Sequence, residues 1–513
     1  MTALPDDILD SLLGPDVEPV AAGLALRQIG AADPAYGLLL LVGLANRVDD
    51  VRTSDPAVIG GLLRGIHLLV LRDDSGRLAT LDPAVILDVQ SALPQACVNR
   101  FLLLHFLAMQ RTDAALSALV SILATNPPKS WMEAAQVISP LMQHRDWTLA
   151  AVFPGLLDAI EFPSVAVPAI DLANYVTRIG KAGKHPATVR VETLNRLLGA
   201  VTRQLERFEA DPTTLGDDVP TVQERLAEAV ALSVSVCDAL GLIGDVTSKP
   251  RLQAAMQLRH RRVQCEAAGA LARLGDSDGR ERLIVLAEEP SARLRVIAYA
   301  EELGFEEDVP DQFRTEAAIA ESEVAIWLTQ PDRFGVAPTS VETIDQRQWM
   351  WPGYEDAIDC FLIRFSYDLG TRTYSNIAIA GPAVYALACD LADMQVDDIY
   401  AVYAGWQAEH DEIFTVEPTA FNESQRRVVN EFKAHLGRAG YEDLSCELFG
   451  VFFEEHAAIF SASRDGKPCR VLTDGLEVIH TPIAGRARPL QGSDLWNLYK
   501  GRKILRTFNP QAE

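Results

Sequence analysis

Cysteine is scarce and irregularly placed in this chain. The 513 residues include seven cysteines, with no C-x-x-C pair, and an odd count does not complete a set of disulfides. Most stand among apolar residues, as Cys97 does between Ala96 and Val98. We therefore expect reduced, buried thiols, and neither a disulfide framework nor a zinc ribbon.

The N-terminus lacks the marks of an export signal. MTALPDDILDSLLG has no basic segment and carries three aspartates in its first 10 positions. Apolar runs such as 35–45 are shorter than the roughly 20 residues that cross a bilayer. These absences predict a soluble, cytoplasmic chain that does not associate with a membrane.

Signature motifs of common enzyme classes are absent. The chain contains no G-x-S-x-G, Walker, dinucleotide-binding or H-E-x-x-H sequence. Its net charge of −25 argues against a general nucleic-acid binder, since a phosphate backbone attracts an excess of Lys and Arg. We assign no reaction, cofactor or metal, and we expect binding in preference to catalysis.

What the chain does have is a repeat. SVCDALGLIGD, RRVQCEAAGALARLGD and ARLRVIAYAEELGFEE each close on a glycine, namely Gly244, Gly275 and Gly304, at intervals of 31 and 29 positions. A period of this length is typical of stacked helical hairpins. Such hairpins build extended binding surfaces. The preceding sequence is also helical in pattern from about residue 20, with a polar loop predicted at 205–225.

Beyond Asp332 the pattern changes. Phe361, Ile363, Phe365 and Tyr367 alternate with other residues, as in a half-buried strand. TYSNIAIAG predicts a second strand, and PAVYALACDLAD predicts a helix that begins after Gly381. Two further helices should precede a meander whose hairpin turns at Asp465-Gly466. Strands, helices and strands in this order predict a separate α+β domain.

The repeats resemble HEAT repeats of the phycobilisome-lyase-like type. The residues that carry the resemblance are the branched and small residues before each turn and the closing Leu-Gly-Asp, as in Val263, Ala267, Ala268, Ala270, Leu271, Leu274, Gly275 and Asp276. The third unit has Phe305 in place of the aspartate. The resemblance covers about residues 230–305 and implies an α-solenoid that binds proteins. Some members of that family attach or remove bilin chromophores, which leaves a chromophore-lyase-like role as an alternative.

The predicted fold is therefore mainly α, a HEAT-like α-solenoid followed by a smaller α+β domain. We divide the chain into degenerate helical hairpins at 1–210, HEAT-like repeats with an acidic connector at 211–332, and the α+β domain at 333–513. The function that this organisation favours is a non-catalytic scaffold or adaptor of bacterial type with one or more protein partners. Its oligomeric state remains open.

Four arginines recur on successive repeats and are candidate binding residues: Arg261, Arg262, Arg293 and Arg295. They could form a basic face for an acidic partner, or they could pair with Asp245 and Asp276 in neighbouring loops. A second basic region is the tail 464–506, which could meet nucleic acid but more readily docks onto the acidic stretch 301–323. The aromatic group Trp349, Trp351 and Tyr354 is either domain packing or a contact surface for a partner.

The alternative class is an enzyme in the C-terminal domain. Its first suspects are Glu409, His410, Glu455 and His456, of which His410 and His456 are weak metal candidates. Ser375 and Asn376 precede the predicted helix at Gly381 and are marginal anion ligands, although the glycine-proline pair there favours a structural turn.

Overall fold

The computed structural model describes residues 5–15, 17–94, 96–330, 332–408, 414–483 and 488–510. Within them the chain forms two compact units, 1–283 and 284–513. The mainly α fold with a smaller α+β part at the C-terminal end is confirmed. The unit boundary differs from the predicted division at 332, because the last helix before the first strand packs against that strand's sheet and the helix before it packs against this last helix.

Unit 1 is helical throughout its described residues. Its α-helices, of which the last continues into unit 2, are α1 (Pro5–Asp10), α2 (Pro19–Gly30), α3 (Tyr36–Ala45), α4 (Val48–Thr53), α5 (Pro56–Leu71), α6 (Pro83–Ala92), α7 (Phe101–Gln110), α8 (Asp113–Thr125), α9 (Trp131–Gln143), α10 (Leu149–Val152), α11 (Pro163–Arg178), α12 (Val191–Ala210), α13 (Val219–Ile243), α14 (Lys249–Met256), α15 (Arg261–Arg273) and α16 (Ser277–Leu286). Short 3₁₀ helices join several of them, at Arg77–Thr80, Gly155–Glu161, Pro186–Arg190, Pro212–Leu215 and Val246–Ser248.

Local chemistry sets many helix boundaries. Asp55 and Asp82 accept hydrogen bonds from the amides at the starts of α5 and α6, where proline occupies the first turn. At the other end, Gly244 and Gly275 have φ values of 80° and 71°, which a residue with a Cβ adopts at a cost. These are the closing glycines of the repeat, and they end α13 and α15 as the sequence predicts.

The helices of unit 1 pack in chain order. Alternate helices contact one another in the series α7, α9, α11, α13 and α15, while α12 packs against both α13 and α14. Among the described residues, α13 alone is long and apolar enough to cross a membrane, with a mean hydropathy of 1.8 in a window that is 50% buried inside the protein. Its contacts with α11, α12 and α15 make it a core helix of unit 1.

Unit 2 combines helices with two antiparallel sheets. Its further helices are α17 (Pro290–Leu303), α18 (Glu316–Leu328), α19 (Val396–Gln407), α20 (Glu423–Arg438) and α21 (Gly492–Phe508), with 3₁₀ turns at Glu306–Asp308, Asp311–Phe313 and Pro418–Ala420. The first sheet has the order β1 (Ser340–Met350), β2 (Ala357–Asp368), β3 (Thr373–Ala380). The second has the order β4 (Phe414–Val416), β5 (Glu442–Phe452), β6 (Glu455–Arg464), β7 (Lys467–Thr473), β8 (Val478–Pro482).

Three hydrophobic clusters order these elements into layers. The odd-numbered residues of β2, from Phe361 to Tyr367, pack under α18. Cys360 and Leu362, on the other face, join a core formed around α19 and α21. The same helix pair covers the inner face of the second sheet at Ile459, and α20 covers its outer face. The helix pair α19 and α21 therefore lies between the two sheets.

Unit 2 contains the same arrangement twice. The order helix, three antiparallel strands, helix occurs as α18-β1-β2-β3-α19 and again as α20-β5-β6-β7-α21, with β8 added before the last helix. A register shift lies between Thr343 and Asp345 in β1 and between Cys446 and Leu448 in β5. In each sheet, two residues of the neighbouring strand lie opposite the shift. One packs in the core on the outer side of the sheet, and the other packs in the core around the helix pair α19 and α21.

The two inner helices carry the same sequence pattern 96 positions apart. DDIYAVYAG ends at Gly405 and SDLWNLYKG ends at Gly501. A Cβ on Gly405 would lie 1.9 Å from the carbonyl oxygen of Asn497, and one on Gly501 would lie 1.6 Å from that of Ala401. Each glycine thus meets the residue four positions before the other glycine. This reciprocity is the contact pattern of a two-fold axis.

Several expectations for the C-terminal region are confirmed and one is wrong. The strands β2 and β3, the meander from β5 to β7 and its Asp465-Gly466 hairpin are all present. The helix α20 begins with a capping box formed by Asn422 and Gln425. Residues 382–393 do not form the predicted helix. The amide of Asn376, 1% exposed, instead bonds the carbonyls of Leu387 and Cys389 and the amide N–H of Leu391, and holds that segment as an irregular loop against β3.

Candidate functional site

A concave site in unit 1 is lined by arginines that the sequence analysis did not select. The cavity has a volume of about 810 Å³, within the range of ~300–1,000 Å³ common for ligand sites. Its lining comes from α12, α13 and the 3₁₀ turn between them: Ala200, Arg203, Gln204, Arg207, Thr214, Leu215, Arg225 and Glu228.

The periodicity of α12 positions two of these arginines. Leu194, Leu198 and Leu205 are buried on one face of the helix. Arg203 and Arg207, one turn apart, lie on the exposed face. Because the buried face fixes the helix, both guanidinium groups are presented to the same side of the site.

The guanidinium groups of Arg203 and Arg207 have no hydrogen-bond or ion-pair partner within the described part of the chain. Arg225 is anchored, since its Nη1 donates to the carbonyl oxygen of Leu215 at 2.8 Å. Glu228 provides the single carboxylate in the lining. The cavity therefore has three positive charges against one negative charge, in a chain whose net charge is −25.

Three neighbouring acids are engaged by other groups. Asp211 accepts from the amide and the hydroxyl of Thr213, and Asp218 does the same from Thr221. These hydrogen bonds lower the pKa of both carboxyl groups. Glu209 accepts from the backbone N–H of Arg259 at 2.6 Å. The acids that cap these turns are therefore not the partners of Arg203 and Arg207.

The four arginines predicted as a basic face have different environments. Arg261 and Arg262 are exposed at the start of α15, and Arg261 contacts Gln264. Arg295 is half-buried over the ring of Tyr299. Arg293 is 4% exposed, so its assignment to an exposed binding face is wrong.

Arg293 instead links α17 to α18. Its Nε donates to Ala287 O at 2.9 Å, and its Nη1 donates to Ala318 O at 2.7 Å and lies 3.2 Å from Glu321 Oε2. A charged side chain is stable in such a buried place only when it is paired and hydrogen-bonded.

The prediction that these arginines pair with aspartates in neighbouring loops is also wrong, because those aspartates have other partners. Asp245 caps a turn by accepting from Thr247, and Asp276 pairs with Lys249 at 3.2 Å. The buried ion pairs of unit 1 lie deeper, where Asp238 on α13 accepts from Arg178 on α11 and lies 3.4 Å from Arg273 on α15. Burial raises the pKa of nearby Asp171 to about 6, although a hydrogen bond with Ser235 opposes this shift.

The three residues of the aromatic group make contacts within unit 2, although only Trp351 is fully buried. Trp351 is buried in the core of the inner helix pair, with its indole N–H donating to Gln407, so it is not a partner contact. Trp349 stacks on Tyr400 with ring centroids 5.2 Å apart. Tyr354 is exposed, and its hydroxyl donates to Pro382 O. The packing that these residues provide is internal to unit 2.

The candidate catalytic residues of the enzyme alternative do not come together within the described residues. Glu409 and His410 lie outside them. Glu455 and His456 are successive residues of β6 and point to opposite faces. Glu455 contacts Lys503 and Tyr499, whereas His456 stacks on Phe449. In the part of the chain that the structure describes, no three His, Cys, Asp or Glu side chains are grouped to hold a metal.

The basic tail docks within unit 2, as expected, but on other acids than those of 301–323. Along α21, Arg502 bonds Asp398, Lys503 bonds Glu455 and Asp474, and Arg506 bonds Glu477. Ser375 and Asn376 are not anion ligands, because no helix begins at Gly381 and the Asn376 amide is fully used.

No protein-family model, no curated protein and no solved structure matches this chain. A signal for the arginine-lined site was present in the sequence, since Arg203 and Arg207 stand four positions apart on the polar face of an amphipathic helix. Only the fold brings Arg225 to them.

Proposed function

We propose that this protein is a non-catalytic, cytoplasmic adaptor that binds a negatively charged segment of a partner protein through the arginine-lined cavity of unit 1. The observation that supports this proposal is the pair Arg203 and Arg207, which lack partners beside a cavity of about 810 Å³. An uncompensated pair of guanidinium groups attracts an anion, and arginine forms paired hydrogen bonds with carboxylate and phosphate groups.

Two further features support an adaptor. The helices of unit 1 pack in chain order, an arrangement compatible with the HEAT-like class, whose members mostly bind proteins. The chain's strongly negative charge disfavours a nucleic acid as the partner. A local basic site within this acidic field would select an acidic group that is small enough to enter the cavity.

The test compares three full-length proteins by quantitative affinity purification from the native cell. These are the wild type, the double variant Arg203→Glu/Arg207→Glu and the control Arg196→Glu. Arg196 lies on the same helix but pairs with Glu161 at 3.1 Å and is exposed. We expect a partner that is retained by the wild type and the control and lost by the double variant.

The partner must then bind the purified wild type with an affinity that falls as salt increases, because the contact is electrostatic. Identical sets of partners for all three proteins would contradict the proposed role of the cavity.

A further inference from the structure

The charge of the arginine-lined cavity matches one particular chemical group. We infer that the cavity receives a phosphorylated side chain of the partner, an inference that rests on the function proposed above and specifies its ligand. Three guanidinium groups and one carboxylate give the lining a net charge of about +2. A phosphoserine or phosphothreonine carries about −1.5 to −2 at pH 7.

A single carboxylate would leave about one positive charge of the site uncompensated. A phosphoryl group offers three acceptor oxygens, and each guanidinium group donates through a planar fork. Arg203 and Arg207 on one helix and Arg225 on the next can therefore each address a different edge of the same group. The backbone contact of Arg225 with Leu215 holds the third donor in place before the ligand arrives.

The remaining lining suits a peptide that carries the phosphoryl group. Ala200 and Leu215 supply apolar surface, and Gln204 supplies an amide with no partner among the described residues. The hydroxyl of Thr214 donates to Asp211 O at 2.8 Å, so its own oxygen is left to accept a hydrogen bond. A nucleic-acid backbone presents a row of phosphates, whereas the lining offers its three arginines around one cavity.

The probe is a short synthetic peptide, acetyl-Gly-phosphoserine-Gly-amide, titrated into the full-length protein by calorimetry or NMR. We expect saturable binding that weakens about 30-fold or more in Arg203→Gln/Arg207→Gln, because charge-assisted hydrogen bonds to a phosphoryl group are strong. Arg203→Lys/Arg207→Lys should lose a large part of the affinity, since lysine keeps the charge but not the paired donors. Arg196→Gln should bind as the wild type does.

A dependence on pH gives a readout that a structural role would not produce. Below pH ~6 the phosphoryl group gains a proton, so binding should weaken between pH 7 and pH 5.5. A peptide with glutamate in place of phosphoserine stays ionised over that range. Its affinity would remain constant.

Each other outcome overturns the inference. Equal affinity for the glutamate and phosphoserine peptides would show an acidic-segment site without phosphoryl preference, and the proposed adaptor function would stand. Absence of saturable phosphopeptide binding up to concentrations of ~10 mM, weaker than the weakest useful recognition, would remove the phosphoryl site. Tighter binding of an RNA oligonucleotide, lost in the same double variant, would assign the cavity to nucleic acid and would contradict the adaptor function as well.

Discussion

The two units of this protein both use repetition, but they use it in different ways. In unit 1 the helices pack in a series, in which alternate helices from α7 to α15 contact one another. In unit 2 the repeated arrangement occurs twice, and the two copies meet through the reciprocal contacts of Gly405 and Gly501. A series can continue and keeps exposed faces, whereas a two-fold contact between two copies closes on itself.

The two units also differ in how their basic residues are paired with acids. The basic residues of α21 are paired with acids of the same unit, as Arg502 is with Asp398 and Lys503 with Asp474. On α12 of unit 1, Arg203 and Arg207 have no such partner among the described residues. The basic residues of α21 are thus paired inside unit 2, and the binding site that we propose lies in unit 1.

The largest effect should come from breaking the contact between the two copies in unit 2. Gly501→Val places a branched side chain where even a Cβ would lie 1.6 Å from a backbone oxygen. We expect a loss of ~4 kcal/mol or more in the free energy of unfolding, because backbone cannot move aside as a side chain can. Hydrogen exchange followed by mass spectrometry should show the loss of protection throughout residues 340–508.

The matched control is Gly437→Ala in α20, where the new Cβ would meet nothing within 4 Å. This change should leave stability equal or raise it by up to ~1 kcal/mol, since alanine favours the helix. Similar behaviour of the two variants would contradict the close two-fold contact.

A smaller effect on the free energy of unfolding should distinguish two arginines that occupy equivalent positions in successive repeats. Arg293→Met removes a buried group that holds α17 to α18 and takes away the ion-pair partner of Glu321, which keeps its hydrogen bonds from Thr343. We expect a loss of ~3 kcal/mol, because breaking a buried ion pair leaves an uncompensated charge. Arg262→Met, at the equivalent exposed position 31 residues earlier, should change stability by less than ~0.5 kcal/mol. Equal losses in chemical denaturation would remove this distinction.

The pH dependence of stability should come largely from unit 1. Burial, with a contribution from His105, lowers the pKa of His67 to about 4, below the value of ~6.5 in the unfolded chain. The unfolded state therefore binds the proton first, and stability should fall as the pH is lowered from 6.5 towards 4. We expect about 1–3 kcal/mol from this group.

The variant His67→Phe tests whether His67 causes this loss of stability in the same pH window, since phenylalanine cannot take up a proton. Asp171, with its pKa raised to about 6, acts in the opposite direction as the pH falls. His185, whose pKa burial also lowers to about 4, acts in the same direction as His67. The variant should therefore show a shallower downward slope in urea denaturation at successive pH values. An unchanged slope would rule out His67 as its source.

The smallest effect on stability should come from the proposed binding residues. Arg203→Gln/Arg207→Gln removes two exposed side chains without partners, so we expect a change within ~0.5 kcal/mol. Thermal unfolding is the measurement. A clear loss of stability would mean that these arginines support unit 1, and it would weaken their assignment to a ligand.

Particular residues explain which parts of the fold the sequence could predict. The helix ends at Gly244 and Gly275 could be predicted from the sequence, because these ends require a left-handed backbone that glycine adopts readily. The capping box at Asn422 and the Asp465-Gly466 turn were legible for similar local reasons. The loop at 382–393 was not, since its apolar sequence has helical spacing, and its conformation is set by the distant amide of Asn376.

The sequence contains part of the signal for the repeated arrangement in unit 2. The pattern D-[I/L]-[Y/W]-x-[V/L]-Y-x-G stands at both 398–405 and 494–501, yet its meaning depends on the contact between the two helices. The arginine site was hidden for the same reason, because Arg225 reaches Arg203 and Arg207 only after α12 and α13 pack together.

The amino-acid sequence by itself determined the helical character of unit 1, the ends of its repeats and the change to strands in the C-terminal region, where β2 and β3 were predicted and β1 was not. These features follow from local backbone preferences and from the spacing of apolar residues. Only the tertiary structure decided that Arg293 is buried while Arg203 is not, and that two copies of one arrangement meet at Gly405 and Gly501. Burial and charge pairing depend on residues far apart in the chain, and no local pattern records which of them come into contact.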